Sequence, residues 1–262
     1  MNIRHSSGYW DQVVSRWEGA DHLGLWRRYH DMINRMLLQR WIPGGKTDRV
    51  LKTDLFDEAV GSGLFQKLKS DAREVVGIDI SRAIAETAGD RYPDLRTVVA
   101  DVRDLPFREA SFDLIVSNST LDHFESEGDI PVALTELRRV LSPGGTLVAT
   151  LDNAANPAVW FRNALPQKML QRLGITQYHV GATCGPGRFR QHLIQAGLHP
   201  AEMTSIQHCP RAPAVALLRW MGHRRSTWSP DSWLRFFETF ERLEHWPTRY
   251  QTGYYLAVRA TR

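Results

Sequence analysis

The chain has 262 residues, 42% of them hydrophobic, and a formal net charge of +4 at pH 7. A chain of this length can bury one large core or a core with a cap, and no apolar run approaches the roughly 20 residues that cross a bilayer, so no membrane span is expected. Two cysteines and an N-terminus without an apolar leader predict a cytoplasmic protein without a disulfide framework.

The net charge hides an asymmetry between the two parts of the chain. Residues 1–152 carry 19 Lys and Arg against 24 Asp and Glu, whereas residues 153–262 carry 14 against 5, a net charge of +9. A basic C-terminal part is compatible with a nucleic acid, an anionic membrane surface, an acidic substrate or simply solvated arginines. Because the positive residues are dispersed, a nucleic-acid partner is not expected.

Residues 1–45 are predicted to form an N-terminal helical arm or lid. Aromatic and aliphatic side chains recur there mostly three, four or seven positions apart, which is typical of an amphipathic helix. They are Trp10, Trp17, Trp26, Tyr29, Ile33, Met36, Leu37 and Trp41. The apolar face either packs on the helices of a sheet or walls a ligand pocket.

Residues 46–152 alternate strand-like and helix-like segments, which predicts an α/β fold. The five predicted strands, several of them apolar on both faces, are 53–57, 74–80, 95–101, 112–118 and 145–152. Right-handed βαβ units built from them give a doubly wound, mostly parallel, Rossmann-like sheet. Residues 153–262 are predicted to complete a seven-stranded sheet with strands 198–208 and 252–260. A helical substrate cap is expected between those two strands, at about 210–247.

The segment DEAVGSG, residues 57–63, follows the first predicted strand and enters a helix. Ligands of open α/β sheets bind at such a carboxyl end, where small residues admit a cofactor and the helix N-terminus offers free N–H groups. Gly61 and Gly63 provide small residues, and Ala59 stands where a glycine is expected. Asp57 is placed to accept a hydrogen bond from a cationic amino group.

Two further carboxylates end the next two predicted strands. Asp79, 22 residues after Asp57, is suited to accept both hydroxyls of a ribose, and Asp101 is suited to accept from an exocyclic amine. Each aspartate alone could be a helix N-cap. Three acids at three successive strand ends favour a nucleotide-like cofactor.

In this order the motifs resemble those of the class I S-adenosylmethionine-dependent methyltransferases. DEAVGSG, VVGIDIS, ADVRDLPFREASFDLIVS and ELRRVLSPGGTLVATL carry the resemblance, which covers about residues 46–152. The resemblance implies an enzyme that binds S-adenosylmethionine and releases S-adenosylhomocysteine. The implied cofactor contacts are Asp57, Ala59, Gly61, Gly63, Asp79, Ile80, Asp101, Val102, Asn118 and Ser119, with Leu121 on the acceptor side.

His123, just after the fourth strand, is the candidate general base that would take a proton from the acceptor. The alternative is a histidine that satisfies backbone groups of its loop. Asp122 precedes it, but adjacent helical residues do not face each other, so no dyad is predicted. Further candidate acceptor-binding residues are Tyr178, His179, His208 and Arg211. No metal site is predicted, because the histidines and cysteines lack ligand spacing.

The expected acceptor is a small molecule, methylated on oxygen, nitrogen or carbon, because the tryptophan-rich arm and cap suggest a pocket that excludes water. Three alternatives remain open: a non-catalytic binding module of the same fold, an RNA or protein methyltransferase, and an NAD(P)-dependent oxidoreductase. The last needs a third glycine where this chain has Gln66. The sequence is also compatible with a homodimer.

Overall fold

The computed structural model describes residues 8–12, 24–42, 47–172, 181–222 and 229–262. In these residues, seven strands form one sheet in the order β3-β2-β1-β4-β5-β7-β6, and only the β5–β7 and β6–β7 pairs are antiparallel. The predicted doubly wound, mostly parallel sheet is therefore confirmed. Among the helices of this part of the chain, none is long and apolar enough to cross a membrane.

Helices separate the successive strands as far as β5 except β3 and β4, which a loop connects, and an insertion separates β6 from β7. The strands are β1 Thr47–Thr53, β2 Ala72–Asp79, β3 Arg96–Val99, β4 Phe112–Asn118, β5 Leu141–Asp152, β6 His199–Ile206 and β7 Tyr255–Thr261. The α-helices are α1 Gly24–Trp41, α2 Phe56–Val60, α3 Phe65–Asp71, α4 Arg82–Arg91, α5 Asp129–Val140, α6 Pro157–Ala164, α7 Gln167–Arg172, α8 Pro186–Gln195, α9 Arg211–Gly222, α10 Pro230–Glu238 and α11 Arg249–Thr252. Short 3₁₀ helices span Leu121–His123 and Thr239–His245.

The central strands are buried on both faces, as their continuous apolar sequences predict. Val50 of β1 belongs to one hydrophobic cluster and the next residue, Leu51, to the other, because successive side chains point to opposite faces of the sheet. The cluster of Val50 also contains Trp26 of α1, so the N-terminal arm packs on the core.

Helix α1 also packs against the insertion between β6 and β7. The rings of Tyr29 and Phe237 lie 5.5 Å apart, and the Tyr29 hydroxyl donates to Glu241. Burial and the neighbouring Glu241 carboxylate raise the pKa of Tyr29 well above its ordinary value. Glu241 also accepts from the backbone N–H groups of Gln207 and His208. One carboxylate therefore ties the N-terminal helix, the end of β6 and the cap together.

The first strand lies earlier than the sequence pattern predicts. β1 ends at Thr53, the first residue of the predicted strand 53–57, and residues 54–57 instead make a turn and the start of α2. Asp54 adopts a φ of 67°, which Asp tolerates better than most residues, and its side chain accepts from Phe56 N–H. The periodic apolar run VLKTDLF is compatible with a strand at either position, which explains why the sequence pattern placed the strand too late.

A buried ion pair determines the path of the chain after β1. Lys52 Nζ lies 2.8 Å from Glu58 Oε2, and the two side chains are 2% and 0% exposed. Lys52 also donates to the carbonyl of Asp54. Burial lowers the pKa of Lys52, but the charges of Glu58 and Asp54 outweigh it and leave that pKa above its usual value. Lys52 is therefore charged.

Glu58 extends this network to the next helix. Its Oε1 accepts from the backbone N–H groups of Leu64 (2.8 Å) and Phe65 (3.1 Å), at the start of α3. Gly63 has a φ of +56°, and a Cβ at this position would lie 2.4 Å from Glu58 Oε1. The close packing of the Glu58 carboxylate thus requires a glycine at position 63.

We expect Gly63→Ala to destabilise the fold more than Gly144→Ala. Both glycines have positive φ, but a Cβ on Gly144 has no neighbour within 4 Å. Gly144→Ala should therefore show only the backbone cost, about 1 kcal/mol, and Gly63→Ala about 2–4 kcal/mol because Glu58 must move as well. Denaturant unfolding of both variants measures the difference. Equal losses would show that Glu58 is not held as described.

Candidate active site

A cavity of about 660 Å³ lies at the carboxyl ends of the parallel strands, with the N-terminal helices and the cap on its other side. Its lining on the sheet side comes from the ends of β1, β2 and β4 and the loops that follow these strands and β3. These residues include Asp54, Phe56, Asp57, Asp79, Ile80, Asp101, Val102, Asn118, Ser119 and His123. The cap side includes Tyr9, Trp10, Trp26, Arg27, His30, Arg211 and Tyr255.

Asp79 holds the loops after β1 and β2 together. Its Oδ2 accepts from Leu55 N–H and its Oδ1 from Ser81 N–H, both at 2.9 Å. Burial raises the pKa of Asp79 to about 6, although these two hydrogen bonds act in the opposite direction. A carboxylate oxygen can accept more than one hydrogen bond, so Asp79 retains acceptor capacity toward the cavity.

Several further carboxylates surround the loop after β1. Burial and the charge of Asp79 raise the pKa of Asp54 well above its usual value. Asp31 of α1 is buried, and this burial together with the charge of Asp57 raises the pKa of Asp31 to about 8. When ionised, these clustered carboxyl groups favour a ligand that carries positive charge.

Asp101, the third predicted carboxylate, is held by an arginine two residues later. Its carboxylate accepts from Arg103 Nε (3.0 Å) and Nη2 (2.5 Å) and from the Arg103 backbone N–H (2.9 Å). Arg103 also lies 3.4 Å from Asp129 at the start of α5. Both partners line the cavity, so a ligand at this end meets an ion pair rather than an isolated carboxylate.

The loop after β4 is held in a strained conformation at the end of the sheet. Ser119 has a φ of 52°, and its N–H donates to the carbonyl and the hydroxyl oxygen of Thr150. Asp122 accepts from the Ser119 hydroxyl and, at 2.7 Å, from the N–H of Asp152. Strain of this kind is typical of functional sites, where the surrounding structure holds it in place.

This loop places His123 on the cavity surface. The rings of His123 and Trp10 lie 4.8 Å apart in an edge-to-face arrangement. Behind His123, Gly181 approaches so closely that a Cβ would lie 2.2 Å from the Asp122 carbonyl oxygen. The carboxylate of Asp122 bonds to Ser119 and to β5.

His30, which the sequence analysis did not single out, is fixed in one tautomer on the cap side. Asn34 Nδ2 donates to the His30 carbonyl, so the same amide nitrogen faces His30 Nε2, at 3.1 Å, as a donor. His30 Nδ1 then donates to Gln207 Oε1 at 2.9 Å. Its Nε2 lies 4.0 Å from Asp57 Oδ2. A polar imidazole edge thus lies beside Asp57 at the cavity.

The structure separates the predicted site residues into two groups. Those that line the cavity are Asp57, Asp79, Ile80, Asp101, Val102, Asn118, Ser119, His123 and Arg211. Those that lie away from its lining are Ala59, Gly61, Gly63, Leu121 and His208. Tyr178 and His179, like Trp17, lie outside the described residues.

The five predicted residues that lie away from the cavity lining have structural reasons for their positions. Because β1 ends at Thr53, Ala59 lies in α2, and Gly61 and Gly63 follow that helix. Leu121 is fully buried in the core. His208 is buried between Thr252 Oγ1 (2.7 Å) and the Ser205 carbonyl (3.0 Å), and burial lowers its pKa, so it is a neutral structural histidine.

Spacing also missed one cluster of polar side chains outside the cavity. Atoms of Glu127, Cys184 and His192 that are able to bind a metal lie within 4.8 Å of one another. Glu127 already accepts from His192 at 3.0 Å and pairs with Arg188. Burial raises the pKa of Cys184 to about 12, which makes it a thiol. These contacts account for the cluster without a cation.

Comparison with known proteins relates this chain to methyltransferases. A family model described as a methyltransferase domain matches residues 56–149. The 2-phytyl-1,4-naphtoquinone methyltransferase of Synechococcus elongatus is 32% identical over 157 residues, which are 55% of this chain and 62% of that protein. The malonyl-acyl-carrier-protein O-methyltransferase of Erwinia pyrifoliae is 30% identical over 128 residues, 48% of this chain and 47% of that protein.

A solved structure extends the likeness to the whole fold. A chain in the complex of the Haloferax volcanii Trm112 methyltransferase activator superposes with a TM-score of 0.61 at 19% identity, covering 95% of this chain and 96% of that one. At that identity the likeness concerns the fold alone. The chain spans about half to three fifths of the length of the two curated relatives.

Residues 56–149 thus match a methyltransferase domain, and this match agrees with the resemblance of the motifs to the class I S-adenosylmethionine-dependent methyltransferases. The cavity fits that cofactor in charge and position. Asp57, Asp79, Asp101 and Val102, for which the resemblance implies contacts with the methionine, ribose and adenine parts, all line the cavity. The acidic surroundings suit a sulfonium and an ammonium group.

Affinity for S-adenosylmethionine should rise with pH, because a cation is bound best when the carboxyl groups whose pKa is raised have lost their protons. Asp79 loses its proton as the pH rises through about 6, and Asp31 through about 8. We expect roughly a tenfold gain between about pH 5 and about pH 8.

Calorimetric titrations across this pH range measure the effect. S-adenosylhomocysteine, whose sulfur is uncharged, should show a smaller gain. Asp31→Asn should remove the upper part of the rise without removing binding. A pH-independent affinity, or an equal gain for both ligands, would contradict the proposed charge complementarity.

Proposed function

We propose that the protein transfers the methyl group of S-adenosylmethionine to a small-molecule acceptor held between the sheet edge and the aromatic cap. The observation that carries this proposal is the division of one cavity into two chemically different sides. Carboxylates line the strand ends, and aromatic rings with two arginines line the cap. A cationic cofactor suits the first side and an acceptor with an aromatic or apolar body suits the second.

The cofactor, when bound, supplies an electrophilic methyl group, and the chain's own residues must align the acceptor with it and exclude water. Trp10 and Trp26 come from the two described N-terminal segments, and Tyr255 begins β7. Tyr9, Trp10, Phe56, Val60 and Val215 pack together, so the segment 8–12 bridges α2 and α9 over the cavity. This enclosure supports a small acceptor over a nucleic-acid strand, which needs an open basic groove.

His123 is suited to accept a proton from the acceptor as the methyl group is transferred. It lies on the loop that directly follows β4, and Trp10 packs against its ring. An oxygen or carbon nucleophile needs such a base more than a neutral amine does. The relatives include a naphtoquinone methyltransferase and an O-methyltransferase. We therefore favour an acidic O–H or C–H acceptor, such as a phenol or quinol.

The proposal also includes a contact between Arg211 and the acceptor, and three predictions from the sequence stay predictions. Arg211, at the N-terminus of α9, lines the cap side and is placed to contact the acceptor. A cytoplasmic location and a homodimer stay predictions. So does the non-catalytic alternative, in which the same cavity binds the cofactor without turnover.

Methyl transfer is tested with radiolabelled S-adenosylmethionine and a panel of phenols, quinols, carboxylic acids and amines. We expect label in a phenol or quinol. Transfer only to amines would contradict the role of a base, and binding of the cofactor without transfer to any acceptor, including extracts of the source cells, would favour the binding module.

His123→Gln should lower kcat by roughly 100-fold or more while changing the Kd of S-adenosylmethionine little, because a missing base affects the transition state. His199→Gln is the matched control, since His199 is exposed at the start of β6, away from the cavity lining. Single-turnover kinetics at several pH values separate the methyl-transfer step from the binding of the cofactor. An unchanged kcat in His123→Gln would assign the proton transfer elsewhere.

A further inference from the structure

Helix α6 exposes its apolar face to solvent, the reverse of an ordinary surface helix. Trp160 is 64% exposed and Phe161 is 59% exposed. Pro157, Ala158 and Ala164 are exposed on the same helix, whereas Val159 and Arg162 are buried. Single exposed apolar residues are common on proteins, but an outward face composed almost wholly of them marks an interaction surface.

Local bonds define this helix and its orientation. Asn156 caps it by accepting from Ala158 and Val159 N–H, and Pro157 occupies the first turn. On the inner side, Arg162 Nη2 lies 2.5 Å from Asp152 Oδ2 and Arg162 Nη1 donates to the Tyr254 hydroxyl at 2.8 Å. The buried arginine thus fixes which side of α6 faces the protein, and the two aromatic rings must point outward.

The same contacts place α6 beside the candidate active site. Asp152 ends β5, and its N–H donates to Asp122, the neighbour of His123. Helix α6 therefore lies at the same edge of the sheet as the mouth of the cavity.

The charged residues of α6, α7 and the segment that follows them are of one sign. Helix α7 begins three residues after α6 ends, and it exposes Met169 at 46% and also Lys168 and Arg172. Residues 153–201 contain no Asp or Glu. An apolar face flanked by cations and free of acids is typical of segments that lie in the interface of an anionic membrane.

We propose that the α6–α7 patch, formed by Trp160, Phe161, Met169, Lys168 and Arg172, docks the protein on an anionic lipid surface. The rings enter the boundary between headgroups and acyl chains, and the two cations contact lipid phosphates. A second copy of the chain fits less well, because a two-fold interface would place the cations of one patch against those of the other. Docking would present the cavity at the surface from which an apolar acceptor is drawn.

Co-sedimentation with vesicles tests this docking without any methyl transfer, so it stands or falls separately from the proposed function. Vesicles of phosphatidylcholine alone are compared with vesicles that also contain phosphatidylglycerol. We expect binding to the latter, and about tenfold weaker binding for Trp160→Ser/Phe161→Ser. Lys168→Gln/Arg172→Gln should weaken binding roughly fivefold per residue on anionic vesicles only.

Trp246→Ser is the matched control, because Trp246 is also 59% exposed but follows the 3₁₀ helix of the cap. It should bind like the wild type. Absence of wild-type binding, or an equal loss in Trp246→Ser, would overturn the proposal. So would sedimentation showing a wild-type dimer that Trp160→Ser/Phe161→Ser converts to a monomer, since the patch would then be an interface between copies.

Discussion

Lys52 and Glu58 form a buried ion pair next to the loop that faces the cavity, and most of the site's geometry depends on it. Isolated charges in the core are costly, and this pair is stabilised by further hydrogen bonds. Lys52 donates to the Asp54 carbonyl, and Glu58 accepts from two N–H groups of α3. The turn after β1 is therefore set by electrostatics and directs Phe56 and Asp57 to the cavity. Its backbone N–H at Leu55 in turn orients Asp79.

The second constraint is the attachment of the N-terminal helix to the cap. Glu241 accepts from Tyr29 and from the backbone after β6, so helix α1 stands over the sheet edge at a fixed position. The same helix buries Asp31 near Asp57, and burial together with the charge of Asp57 raises the pKa of Asp31. It also carries Arg27 and His30 to the cavity. Acidic strand ends and a basic, aromatic cap thus meet across one space, with His123 on the loop after β4.

The mostly parallel seven-stranded sheet and its carboxylates at strand ends follow from sequence patterns, because buried strands and strand-end positions have strong local signals. Asp79, Asp101 and His123, predicted in this way, all line the cavity. Gly61 and Gly63 resemble a cofactor loop but lie away from the cavity lining, and Gly63 leaves room for Glu58. Contacts made across the fold, such as Arg103 with Asp101 or Gln207 with His30, have no local signal. His208 shows the reverse. Its sequence position suggested an acceptor-binding histidine, but residues distant in the sequence bury its side chain.

The central claim is that the cofactor binds along residues 54–57 and the ends of β2 to β4, rather than on the glycines at 61–63. A crystal structure of the protein with S-adenosylhomocysteine tests it most directly. We expect the ribose hydroxyls on Asp79, the adenine between Val102 and the Asp101–Arg103 pair, and the sulfur on the side of Asn118 and His123. A nucleoside seated against Gly61 and Gly63, with Asp79 bonded only to Leu55 and Ser81, would contradict it.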